Sequence, residues 1–385
     1  MNNSRRQAAF IFAKWLATKD FPSTMLPESG PDRAFIQDLV YATIRRFRSL
    51  KFVLSKLVRT WPKGEMEALL YIGAAQILYL PSVPDFAAVS ETVNAAKECA
   101  NPNIPKVVNG VLRNLIRRRD ELEAELSHAP LAVRESFPDE LVDRWTERFG
   151  LENAKELCAY HNLPAETFLA FPDGSFRQLP RGRRVDAEPG FKEGAFIVQD
   201  PGTKLAVRLL DPRPGEQILD ACAAPGGKSI QIAWRGADLT ACEVNPRRRR
   251  RLEENLKRIR LADKVQVAAA LTDLPDRAFD KVLVDAPCSN TGVFRRRPDA
   301  RWNWDLDKLA SLVRLQAEIL ALAAAKVKPG GTLVYSTCSL EREENEAQVE
   351  AFLSSHPGAV LETQETALPF ETRTDGAFAA AIRLP

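Results

Sequence analysis

From Phe196 onward, short apolar runs alternate with stretches of helical periodicity, and no other feature of this 385-residue chain constrains its fold as strongly. Strands are expected over 217–222, 239–243, 264–268, 281–285 and 332–336, and helices over 228–234, 246–260 and 306–326. The strand segments hold short apolar cores such as Val282-Leu-Val284, which suits strands covered on both faces. Strands and helices in this alternation build a mostly parallel sheet with helices on either side. The expectation is an α/β domain over 191–385, with its boundary near residue 190.

The first 120 residues read differently. Ala8, Ile11, Phe12, Trp15 and Leu16 recur at spacings of three and four, and Ile36, Leu39, Val40, Thr43 and Phe47 repeat the stripe. Both segments are expected as amphipathic helices. The almost wholly apolar run 68–80 stops at Pro81, as a buried central helix should. Two further helices, over 88–99 and 106–119, flank the breaker-rich Asn101-Pro-Asn-Ile-Pro105. An all-helical bundle is therefore expected over 1–124. Residues 125–190 carry a short helix pattern from Pro138 to Phe149, then strand signals around 168–176 and turns at 181–184 and 188–190. They are expected as a small α+β connecting region.

Composition bounds the class of protein. The hydrophobic fraction is 45% and the charged fraction 27%, an ordinary globular balance. No apolar run approaches the roughly 20 residues needed to span a bilayer. The charged start, Met1 to Arg6, is not followed by an apolar core, so no secretory leader is expected and a cytoplasmic location is. The six cysteines (99, 158, 222, 242, 288 and 338) form no CxxC pair, and the histidines at 128, 161 and 356 lie far apart. Zinc-ligand spacing is absent, no metal is expected, and cytoplasmic thiols stay reduced. A monomer is expected.

The net charge of +3 is modest, but its distribution is not even. Five consecutive arginines fill 247–251, with Lys257, Arg258 and Arg260 after them. Arg295, Arg296, Arg297 and Arg301 form a second cluster, and Arg117, Arg118 and Arg119 a third. A single run of this kind is usually a solvated face; three runs, two of them beside the motifs below, are expected to contact phosphates. Trp302 and Trp304 beside the second cluster either stack on exposed bases or form a buried pair that pins the loop.

Between the first strand and first helix of the α/β region lies Asp220-Ala-Cys-Ala-Ala-Pro-Gly-Gly-Lys-Ser229. Ala223 and Ala224 are small and Gly226 and Gly227 lack Cβ, so a ligand can approach the backbone closely. The loop has neither GxGxxG nor a complete phosphate-loop motif, so a nucleoside with few or no phosphates suits it better. Glu243 closes the next strand, where an acid can accept the hydroxyls of a ribose. Two more strand ends, Asp285-Ala-Pro-Cys288 and Ser336-Thr-Cys338, bring thiols to the same sheet edge. Free cysteine is most often a small buried hydrophobe, the reading adopted for Cys99, Cys158 and Cys242. Two thiols converging on a nucleoside site argue otherwise for Cys288 and Cys338, although residue chemistry does not rank them.

Together these residues resemble the Sun/RsmB family of bacterial ribosomal RNA cytosine-5 methyltransferases. The matching signatures are Cys222-Ala-Ala-Pro-Gly-Gly-Lys228, Asp285-Ala-Pro-Cys288 with Thr291-Gly-Val293, and Ser336-Thr-Cys-Ser339 with Glu343-Glu-Asn345. The front resembles the RNA-binding NusB fold through Arg33-Ala-Phe-Ile-Gln-Asp-Leu-Val40, Ile72-Gly-Ala-Ala-Gln-Ile-Leu-Tyr79 and Lys106-Val-Val-Asn-Gly-Val-Leu-Arg113, and Asp375-Gly-Ala-Phe378 extends the likeness to the end. The resemblance implies a class I, Rossmann-like methyltransferase domain that uses S-adenosylmethionine and acts on RNA, with small-subunit ribosomal RNA the expected substrate.

It also implies that Cys338 attacks the base, that Cys288 helps release the product, and that Cys222, Ala223, Ala224, Pro225, Gly226, Gly227, Lys228, Glu243 and Asp285 line the cofactor and base site. A thiol has a clear use there. Pyrimidine C5 is a poor nucleophile until a thiolate adds at C6, and Lys228 or a strand-end dipole can raise the thiolate fraction of a group whose ordinary pKa is about 8.5. Asp285 can meet the N3/N4 edge of cytosine. The family places an acid just after the third strand against the adenine; here Val267-Ala-Ala-Ala-Leu-Thr-Asp-Leu274 offers only Asp273, from a shifted position. A non-catalytic RNA-binding or ribosome-assembly factor on the same fold is the alternative.

Overall fold

The computed structural model describes residues 4–385. They divide into a first unit that runs to Leu163 and takes in Arg297–Asn303, and a second of Pro164–Arg296 with Trp304–Pro385. The stretch 125–190, expected as one connecting region, is thus shared between the units at Leu163.

The first unit is helical: α1 (Ser4–Thr18), α2 (Arg33–Arg45), α3 (Phe47–Ser55), α4 (Glu65–Tyr79), α5 (Asp85–Ala96), α6 (Ile104–Arg117), α7 (Arg119–Ser127), α8 (Leu131–Arg134), α9 (Asp139–Phe149) and α10 (Leu151–His161). Every residue of α4 from Ala68 to Ile77 is buried, which makes it the central helix that its apolar run predicts. Phe12 and Phe47 pack against its Tyr71, with ring centroids 5.1 and 5.3 Å away, and Trp15 lies 5.5 Å from Phe47.

In the second unit β1 (Thr167–Ala170), β2 (Phe176–Leu179) and β3 (Ile197–Val198) form a small antiparallel sheet in the order β2-β1-β3. Then follow α11 (Lys204–Leu210), β4 (Gln217–Asp220), α12 (Gly227–Trp234), β5 (Asp238–Cys242), α13 (Pro246–Arg258), β6 (Val265–Ala268), β7 (Phe279–Asp285), α14 (Leu306–Ala324), β8 (Val327–Thr337), α15 (Glu346–Ser355), β9 (Val360–Ala367), α16 (Pro369–Thr372) and β10 (Ala377–Arg383). The main sheet has the order β6-β5-β4-β7-β8-β10-β9. Its β4–β8 core is parallel, and β10 runs antiparallel between β8 and β9. This is the mostly parallel, doubly covered sheet that the alternation predicts.

Period-two alternation splits the strands between two cores. Ile218, Leu239, Leu283 and Val334 face α11–α13, whereas Leu219, Val282, Val284, Leu333 and Tyr335 face α14 and α15. Strand order reverses between β4 and β7, and at such a switch point the loops beyond the strand ends part to leave a crevice. Among the described residues no helix is long and apolar enough to cross a membrane, and no group of His, Cys, Asp and Glu is arranged to hold a metal ion.

Candidate active site

The crevice floor is the turn after β4. Gly226 adopts φ +107°, a left-handed conformation, and a Cβ there would come 2.8 Å from Leu252, so only glycine fits. Helix α13 fastens the loop: Asn255 Nδ2 donates to the Pro225 carbonyl at 2.8 Å and Arg248 to that of Ala224 at 3.2 Å. The Ala223 amide donates to Cys242 on β5 at 2.9 Å.

Acids ring this loop. Asp220 is fully buried and accepts from Ser229 at 2.6 Å, while its other oxygen has no hydrogen-bond partner. Burial pushes its carboxyl up to about 6. Glu243 is buried at the end of β5, where one oxygen accepts the Asn245 amide at 2.9 Å and the other pairs with Arg248 at 3.3 Å. Burial, then the charges of Asp220, Asp285 and Glu243, push the Cys222 thiol well up. Cys222 is thus kept neutral, surrounded by carboxylates that suit a cationic ligand bearing a ribose. Asp273 is exposed on a short 3₁₀ turn after β6, and its charge reaches Cys242.

The second half of the site joins β7 and β8. Lys228 Nζ, from the first turn of α12, lies 2.7 Å from Asp285 Oδ2. Burial opposes the ammonium, but Asp285, with smaller contributions from Cys338 and Asp220, more than offsets it and raises the Lys228 pKa. Asp285 Oδ1 is 3.4 Å from Ser336 Oγ. The sulfurs of Cys288 and Cys338 are 3.3 Å apart. The hydrogen bond to Cys338, then burial, pushes the Cys288 thiol well up.

Hydroxyls and one buried carboxylate lace the two cysteine loops together. Glu344 accepts from the Ser289 amide and from Gln316 Nε2, both at 2.9 Å, and from the Ser289 hydroxyl. Gln316 also donates to the Pro287 carbonyl at 2.9 Å, so the turn bearing Cys288 is gripped on both sides. Thr291 Oγ1 accepts from the Leu340 amide at 2.7 Å, and the Gly292 amide donates to the Cys338 carbonyl at 2.9 Å. A Cβ on Gly292 would come 2.7 Å from that carbonyl, so this close approach needs glycine. Glu344 lies inside the Glu343-Glu-Asn345 signature and Asn290 falls between Cys288 and Thr291 of another, whereas nothing local marks Gln316.

The second arginine cluster is not the solvated, phosphate-facing run expected from the sequence. Arg295 and Arg301 are buried, and Arg296 pairs with Asp200 at 2.7 Å and with Asp375. Arg297 lies 3.4 Å from Asp299 and over the Phe21 ring. These groups already have acceptors inside the protein, so the cluster is not a phosphate-binding face. Trp302 is no stacking platform either: its indole donates to the Ile44 carbonyl at 3.0 Å, and Trp304 is buried. Of the first cluster, Arg258 is tied to the Phe191 and Phe196 carbonyls, whereas Arg247, Arg250 and Arg251 stay exposed.

Residues 207–382 match the family model for 16S rRNA methyltransferase RsmB/F, and residues 2–117 the NusB family model. The ribosomal RNA small subunit methyltransferase B of Yersinia pseudotuberculosis serotype O:1b (strain IP 31758) is 34% identical over 424 residues, spanning 99% of this chain and 98% of the relative. The chain belongs to the RsmB/Sun family of S-adenosylmethionine-dependent rRNA methyltransferases. Solved structures agree on the fold. That of PH0851 gives a TM-score of 0.78 at 22% identity over 99% of both chains. A methyltransferase homologue from Pyrococcus horikoshii gives 0.58 at 24% identity over 66% of this chain and 98% of its own.

Proposed function

We propose that this member of the RsmB/Sun family methylates C5 of a cytosine in small-subunit ribosomal RNA through a covalent bond between Cys338 and C6 of the base. One observation carries the reading: two thiols 3.3 Å apart at adjacent strand ends, beside a Lys228–Asp285 pair at the edge of a nucleoside-type loop. Methyl transfer to a nitrogen would need neither sulfur.

S-adenosylmethionine, when bound, supplies the methyl group as an electrophilic sulfonium. Residues 222–227 would cradle it, with Glu243 toward the ribose and Asp273 toward the adenine; the surrounding acids suit its positive charge. Cys338 adds to C6 and turns C5 into a nucleophile. Lys228 favours the thiolate that this step requires. Asp285, one oxygen held by Lys228, has its other oxygen to accept from the cytosine N4 amino group, a contact that uracil cannot supply. After C5 has been methylated and has lost its proton, the C6–S bond breaks, with Cys288 assisting release. The exposed arginines of α13 would hold phosphates while the target base leaves its stack, at a cost of a few kcal/mol.

The test is methyl transfer from labelled S-adenosylmethionine to small-subunit rRNA, followed by nucleoside analysis. The product expected is 5-methylcytosine, and Cys338→Ala is expected to lower the rate by at least about a thousandfold. Methyl on a nitrogen, or a Cys338→Ala variant with unchanged turnover, would refute the mechanism. Failure to bind S-adenosylmethionine in calorimetry would favour a non-catalytic RNA-binding role.

A further inference from the structure

Asn290 follows the Cys288 turn at φ +61°, a left-handed conformation that asparagine tolerates better than most residues. Its Nδ2 donates to the Cys288 carbonyl at 2.8 Å, and its Oδ1 lies 3.4 Å from Cys338 Sγ. The carbonyl can only accept, so it fixes which end of the amide faces it and leaves the amide oxygen facing the sulfur. An amide oxygen has only lone pairs to offer, so its partner must be the S–H donor.

We propose that Asn290 is a positioning residue for Cys338, which it holds in the resting enzyme as an aimed, neutral thiol; this rests on the reading of Cys338 as the attacking group. Four other polar groups surround that sulfur. Lys228, paired with Asp285, favours the thiolate. Asp375, which lines the same small cavity as Cys338 and Lys228, has its charge matched by Arg296. The fourth group is the Cys288 thiol, 3.3 Å away, which either donates to the Cys338 sulfur or accepts from it. The Asn290 oxygen opposes Lys228, because its lone pairs would face a thiolate directly. The amide therefore sets both the direction of the sulfur and how readily it gives up its proton.

The test is the pH dependence of Cys338 alkylation by iodoacetamide in the full-length protein, followed at the Cys338 peptide by mass spectrometry. Asn290→Ala is expected to lower the midpoint by about half a unit, or about threefold faster alkylation near neutral pH. Its kcat for RNA methylation should fall while KM stays nearly unchanged, because the sulfur is no longer aimed. Asn290→Asp should move the midpoint the other way, since a carboxylate beside the sulfur disfavours the thiolate. Asn290→Gly, which adopts the left-handed turn without strain, should follow the alanine variant and carries the test should alanine disturb folding. Midpoints that match the parent in all three variants, or that shift the same way for alanine and aspartate, would overturn the proposal. A Cys338→Ala enzyme that still methylates would remove the attacking role, yet the midpoints would still decide the hold of Asn290 on the sulfur.

Discussion

The arginines at 247–251 and those at 295–301 look alike as sequence, but the first open a helix while Arg301 of the second reaches helix C-termini from a loop. The first group fills the opening turns of α13, where Asn245 caps the helix and no acidic residue stands in the first turn. Positive charge there opposes the helix dipole. In the second group, Arg301 is fully buried and donates to the carbonyls of Arg45 at 3.4 Å and His161 at 3.2 Å, the last residues of α2 and α10. It also reaches the Ser136 carbonyl at 3.2 Å and Asn162 Oδ1 at 3.0 Å, and its guanidinium lies 3.8 Å from the Phe137 ring centroid. Burial lowers its pKa well below the ordinary arginine value, so these acceptors matter to holding the charge. Trp302 and Asn303 serve the Ile44 carbonyl and the Lys19 carbonyl just past α1 in the same way. Segment 297–303 thus supplies donors that helix C-termini lack. Within α13, Arg248 and Arg249 are tied to the Ala224 and Glu243 carbonyls and Arg250 pairs with Glu254, whereas Arg247 and Arg251 stay exposed.

The two groups should respond to substitution very differently. Arg301→Ala should destabilise the helical unit by about 3–5 kcal/mol, because it orphans several buried acceptors at once. Arg301→Lys should recover little of this, since an ammonium cannot reproduce the planar fork. Thermal unfolding followed by circular dichroism reads both, and a loss under 1 kcal/mol for the alanine variant would break the contrast. The paired change Arg247→Ala with Arg251→Ala should leave stability within about 0.5 kcal/mol of the parent, or slightly above it. The same variant should flatten the dependence of log RNA affinity on log salt by about 1.5. An unchanged slope would remove these arginines from the RNA-binding face.

Much of this was legible in the sequence because it is local. Strand ends at Asp220, Cys242, Asp285 and Thr337 fall within two residues of their apolar runs, and the parallel order carries the loop at 222–227 and both thiols to one edge. The fate of Arg295, Arg296 and Arg301 was not legible, since whether an arginine is solvated or buried depends on distant carbonyls and carboxylates. Helix α10 escaped notice, and so did β9 and β10, where Ala377-Phe-Ala-Ala-Ala-Ile382 packs small side chains on both sheet faces and shows no alternation. Gln316 reads as an ordinary surface residue of α14 until Glu344 is placed beside it.

The most direct measurement uses the Cys288→Ala enzyme, incubated with small-subunit rRNA and S-adenosylmethionine and run on a denaturing gel. If Cys338 bonds to the base and Cys288 assists release, a protein–RNA species should accumulate, with the linkage mapping by mass spectrometry to the peptide that contains Cys338. Normal turnover with no trapped species, or a linkage at any other residue, would contradict the account.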